Sequence, residues 1–216
     1  GQPTVLLYAH CDVQPQGDPT QWTSPAFAAA EREGRLFARG AADDKGGIAV
    51  HLGAMRAFLG NPPIGVKIFV EGEEEIGSPS MAALLKEYGC DLGADVFVIA
   101  DAVNWKVGEP ALTTTLRGVV DAVVTVSTLK TGLHSGQFGG VVPDALTALS
   151  KLLATLHDDK GNVAIEGLVS APDPEVEYDE ERLREETGIL EGVEWIGDGM
   201  ASARMWTKPA ASELAI

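Results

Sequence analysis

Three nearly unbroken apolar runs set the first constraint on this chain: Thr4–Ala9 (TVLLYA), Val66–Val70 (VKIFV) and Val96–Ala100 (VFVIA). Each is the length of a strand, and such continuity suits a strand covered on both faces rather than one half in water. Helical patterns lie between them. Residues 46–59 place Ile48, Val50, Leu52, Met55 and Leu59 at mostly helical spacing, and Asn61-Pro62-Pro63 ends that helix. Ser78-Pro79 reads as an N-cap with proline in the first turn, opening a helix to about Tyr88. The alternation predicts an α/β fold, a mostly parallel sheet with helices on both faces.

The pattern changes near residue 115. Gly118–Ser127 (GVVDAVVTVS) reads as a longer strand and 132–140 as a glycine-rich loop. Pro143-Asp144 then opens a helix with Leu146, Leu149, Leu152, Leu153 and Leu156. The charged stretch 172–186 reads as a solvated helix face or loop. The chain therefore divides into residues 1–115 and a smaller α+β domain at 116–216.

Charge narrows the partners. Sixteen Lys and Arg against 32 Asp and Glu give a net charge of −16, which repels phosphate backbones and anionic membrane surfaces alike. No window offers the ~20 apolar residues of a bilayer span, and no secretory signal is visible at Gly1-Gln2-Pro3-Thr4. Cys11 and Cys90 make no disulfide framework, so a reduced, cytoplasmic setting is expected.

The polar residues that follow the strands carry the chemistry. His10-Cys11-Asp12 follows the first strand, Asp43-Asp44-Lys45 precedes the first helix, Glu73-Glu74-Glu75 follows the second strand and Asp101 ends the third. The carboxyl ends of parallel strands line one crevice, so these groups can converge. An imidazole amid several carboxylates calls for a divalent cation, and mixed nitrogen and oxygen donors suit zinc, with manganese or cobalt also fitting. Each piece has a plainer reading. His10 could be a hydrogen-bonded structural histidine, Asp43-Asp44 charge at a helix N-terminus, the glutamates surface solvation and Asp101 a turn cap. Joint placement after successive strands favours the metal site.

The ordered segments 9–15 (AHCDVQP), Trp22 with Pro25-Ala26-Phe27, 39–46 (RGAADDKG), 71–78 (EGEEEIGS) and 133–140 (LHSGQFGG) resemble the dinuclear zinc family of aminoacylases, carboxypeptidase G and dipeptidases. The details look most like its carnosinase-like dipeptidase branch, from about Val5 to Pro209. The resemblance implies hydrolysis of the amide bond of dipeptides or short peptides, with two divalent metal ions. It implies His10 and Asp101 on one metal, Glu75 on the other, Asp43 bridging both, Asp12 orienting the His10 ring and Glu74 as general base. Glu73 stays the ambiguous neighbour. By the same resemblance 116–216 is a lid and homodimerisation domain, and His134 reaches an active site to stabilise the oxyanion or the substrate's polar end. His51 and His157 read as structural or surface residues.

The family pattern also includes a segment before the first motif and a returning segment that supplies the second metal's histidine; nothing in this sequence matches either, and the chain is expected to be a fragment. Cys11 stands where the branch has tyrosine and reads as a packing residue. Two alternatives share these residues: an N-acyl amino acid amidohydrolase, and a non-catalytic metal-binding or dimerising fragment.

Overall fold

The computed structural model describes residues 1–212 and divides the chain into two compact units, Gly1–Thr113 and the remainder from Thr114. The first unit is built on strand β1 (Thr4–His10), where Leu6, Leu7, Ala9 and His10 are buried. After it come the short strands β2 (Ala30–Arg32) and β3 (Arg35–Phe37), helix α1 (Lys45–Ala57), strand β4 (Gly65–Glu71), helix α2 (Met81–Leu92) and strand β5 (Val96–Ile99).

β1 is central. It pairs in parallel with β4 from Thr4↔Gly65 to His10↔Glu71, and with β5 from Val5↔Val96 to Tyr8↔Ile99. Parallel pairing brings the carboxyl ends of all three strands to one rim, as the apolar runs predict. Two further bonds extend the rim: Cys11 N–H donates to the Glu71 carbonyl at 2.8 Å and Ala100 N–H to the Tyr8 carbonyl at 3.1 Å. Helix α1 packs on β1, and its His51 is buried with Nε2 2.8 Å from the Tyr8 carbonyl oxygen, a structural histidine. Coverage is uneven, because β5 is exposed along its whole length.

Two local features differ from the sequence expectation. Helix α2 starts after Ser78-Pro79: Ser78 takes φ +53°, Ser80 is the N-cap, and the Glu73 carboxylate accepts the Ser80 N–H at 3.1 Å. A glutamate at that helix end serves both hydrogen bonding and the helix dipole. β2 and β3 form a hairpin for which the sequence pattern gives no expectation; Glu33 and Gly34 both take positive φ, as a two-residue turn between strands requires.

The second unit holds helices α3 (Ser135–Phe138), α4 (Ala145–Ala154), α5 (Glu180–Thr187) and α6 (Ala201–Trp206). Asp144 caps α4 by accepting the Thr147 N–H at 2.7 Å, as the sequence suggests. Tyr178, Leu183, Ser202 and Ala203 form its buried centre, with Trp206 edge-on to Tyr178 at 6.0 Å. The stretch 118–127 is not a strand. Val119, Val120 and Val123 are at least 87% exposed, and β-branched residues become a strand only where the backbone finds a partner. Among the described residues the β content of this unit is one isolated bridge, His157↔Val163, so the α+β expectation is met only in its helical part. No helix among the described residues is long and apolar enough to cross a membrane.

Candidate metal centre

The site of the first unit forms where the three parallel strands end. His10 closes β1 with its residue surface fully buried, and Nε2 turned toward acids from three other segments. Asp43 Oδ1 lies 2.9 Å from Nε2, Asp101 Oδ1 3.8 Å and Glu74 Oε2 3.9 Å. Asp12 Oδ1 is 3.3 Å from the ring's other nitrogen, Nδ1, which is buried and makes no aligned hydrogen bond.

Asp43 and Asp44, joined by a cis peptide bond, take different tasks. The Asp43 side chain is largely exposed beside His10. Asp44 is buried, with Oδ2 accepting the His10 N–H and Oδ1 the Gly47 N–H, each at 3.1 Å, so it caps α1 and anchors the end of β1. The helix-terminal reading thus falls to Asp44, and Asp43 is left exposed beside His10.

The three glutamates separate through the short 3-10 turn at Glu74–Ile76. Glu73 serves α2, as described above. Glu74 and Glu75 donate their backbone N–H groups to Asp12 at 3.3 and 3.0 Å; the Glu74 carboxylate faces His10, and the Glu75 carboxylate accepts from Gln14. Asp12 therefore holds a backbone as well as facing an imidazole.

Charge crowding shifts the titrations. Burial alone would lower the His10 pKa, but the hydrogen bond to Asp43 and the charges of Asp101, Glu74 and Asp43 outweigh it and raise it. Glu74 is raised by burial and by Asp101, Glu75 and Asp43, against the opposing pull of His10. Asp101 is raised by burial and then by Asp44, Asp43 and Glu75. Asp12 goes the other way: burial opposes its charge, yet N–H bonds from Glu75 and Glu74, with the charge of His10, hold it below the ordinary range. Acids that resist ionising together are relieved by a divalent cation.

Donor atoms of His10, Asp43 and Glu75 lie within 4.8 Å of one another, and so do those of His10, Asp44 and Asp101. In the second set both Asp44 oxygens accept backbone N–H groups and the residue is buried; in the first, both Glu75 oxygens accept from Gln14, while Asp43 is largely exposed. An imidazole nitrogen with carboxylate oxygens, and a buried Nδ1 left for an orienting carboxylate, is a donor set that fits a zinc-type cation.

The structure thus gathers His10, Asp12, Asp43, Glu74, Glu75 and Asp101. His134 belongs to the second unit, where it is exposed and precedes α3. Cys11 is exposed and free, which corrects the expectation of a packing role. Several neighbours were not singled out from sequence. Gln14 bonds Glu75, Lys45 Nζ donates to the Cys11 carbonyl at 2.8 Å, and Tyr8 Oη donates to the buried Glu71 carboxylate at 2.6 Å. Gln14 and Lys45 lie within the quoted segments 9–15 and 39–46, and Tyr8, two residues before His10 on one strand, shares a face with it.

Comparison with known proteins follows the same motifs. The family model described as peptidase family M20/M25/M40 matches residues 6–186. A cysteinylglycine-S-conjugate dipeptidase of Corynebacterium striatum is 39% identical over 214 residues, covering 96% of this chain and 47% of the relative. The M20 family metallo-carboxypeptidase Sso-CP2 of Sulfolobus solfataricus superposes with TM-score 0.69 at 26% identity, covering 94% of this chain and 48% of that one. Human carnosine dipeptidase 1 gives TM-score 0.63 at 25% identity, covering 94% and 45%. The chain spans less than half the length of each of these relatives.

Proposed function

The chain belongs to peptidase family M20/M25/M40, on its dipeptidase branch, and from that premise we propose that it carries metal-binding and catalytic residues of a metallodipeptidase acting on dipeptides or short peptides. The observation that carries this is the convergence of Asp43, Asp101 and Glu74 within 4 Å of His10 Nε2. His10 and Asp101 would hold one divalent cation, Glu75 a second, with Asp43 shared between them; zinc suits these donors first, then manganese or cobalt. When bound, the cations polarise the scissile carbonyl and acidify water.

The chain's own residues do the rest. Glu74 takes the proton of the attacking water and returns it to the leaving amine, a role helped by a carboxyl pKa that burial raises above its ordinary value. Asp12 orients the His10 imidazole and, through two backbone N–H bonds, keeps Glu74 and Glu75 aimed at the rim. Residues 116–216 serve as lid and homodimerisation domain, and its His134 stabilises the oxyanion or the substrate's polar end. Two free, exposed cysteines, Cys11 and Cys90, are in keeping with a reducing cytoplasmic setting.

Glu74→Gln in the intact protein tests the base. Turnover should fall by at least ~100-fold while metal content is unchanged; turnover retained at the original level removes Glu74 from that role.

A further inference from the structure

We propose that Gln14 is a positioning residue for the Glu75 carboxylate, holding it in the orientation in which it can accept a metal ion. The inference rests on the reading of Glu75 as a ligand. Three hydrogen bonds join this pair. Gln14 Nε2 donates to Glu75 Oε2 at 2.9 Å and to the Glu75 carbonyl at 3.1 Å, and the Gln14 backbone N–H donates to Glu75 Oε1 at 3.2 Å.

The side-chain amide thus spans from the main chain of Glu75 to its carboxylate. This fixes the rotamer and not only the position of the charge. Both carboxylate oxygens are engaged, yet each keeps a second lone pair for a cation. Pro15 contributes from the other side, because a residue before proline is confined to extended backbone, which presets the direction of Gln14.

An exposed amide–carboxylate bond would by itself deserve little weight. Here it belongs to a frame of five: Asp12 takes the backbone N–H groups of Glu74 and Glu75, and Gln14 supplies the other three bonds. The segment 12–14 therefore reads the 3-10 turn at Glu74–Ile76 from both its backbone and its side chain. Partners that orient a ligating carboxylate commonly matter to metal affinity.

The test is zinc titration of the metal-stripped intact protein against a chromophoric chelator, with the visible spectrum of the cobalt-loaded form as a second readout. The variants are Gln14→Ala, Gln14→Glu and, as reference, Glu75→Ala. Gln14→Glu keeps the size and shape but turns the donor into an oxygen facing Glu75 Oε2. Both Gln14 variants should weaken zinc binding by about 10- to 100-fold and shift the cobalt bands, with far-UV circular dichroism unchanged. If Glu75→Ala weakens binding while either Gln14 variant binds zinc as tightly as the parent, the positioning role is overturned. If Glu75→Ala itself binds normally, the ligand assignment fails, and the positioning role with it.

Discussion

The backbone N–H of His10 donates to the buried carboxylate of Asp44 at 3.1 Å, and through that bond the end of β1 is tied to the first turn of α1. Asp44 also accepts the Gly47 N–H, so one carboxylate satisfies a helix end and fixes the residue that presents the imidazole. Its neighbour Asp43 is thereby left free to face His10 Nε2.

Asp44→Ala should therefore cost about 2 kcal/mol or more of stability, since a cap is lost and a buried N–H is left without a partner. Denaturant unfolding of the variant measures it. A midpoint equal to the parent's would show that the bond contributes nothing.

Gly47 is expected to tolerate no side chain. A Cβ there would overlap the Ala100 carbonyl oxygen and both Asp44 carboxylate oxygens, which come from different segments of the rim. Gly47→Ala should gain helix propensity yet lose about 1–3 kcal/mol net through forced displacement. The same unfolding experiment decides the sign.

The second unit carries a pH-dependent pair. The Tyr178 hydroxyl donates to Glu186, and this bond, with Arg182 beside it at 2.6 Å, holds the Glu186 carboxyl below its ordinary value of 4.5. A depressed folded pKa means stability that is fully present above the unfolded value and lost as pH falls through 4.5 toward the folded one. Glu186→Gln should lower the melting temperature at pH 7, and the gap from the parent should narrow at pH 3. A gap independent of pH would contradict the assignment.

Much of this architecture was legible in the sequence because continuous β-branched and apolar runs favour strands. The runs at 4–9, 66–70 and 96–100 fall within a residue or so of β1, β4 and β5, although only β1 buries its apolar residues and β5 is exposed throughout. The hairpin Ala30–Phe37 is not legible: three residues a side leave too little alternation, and Glu33-Gly34 is its turn signal. Residues 118–127 misled in the opposite direction, because β-branched composition reports preference and not the presence of a pairing strand.

The site shows the same division. His10, Asp43 and Asp101 were readable from their places after strands and before a helix. The different hydrogen-bond partners of Glu73, Glu74 and Glu75 were not, because they depend on how the 3-10 turn rotates consecutive side chains, and Gln14, although inside the 9–15 motif, gave no sign that it bonds Glu75.

The most direct measurement is crystallography of the zinc-loaded intact protein with anomalous scattering at the zinc edge. A zinc peak is expected about 2.0–2.2 Å from His10 Nε2 and from a carboxylate oxygen of Asp43, as the proposed metal centre requires. A saturated crystal whose zinc peaks all lie away from His10 would contradict it.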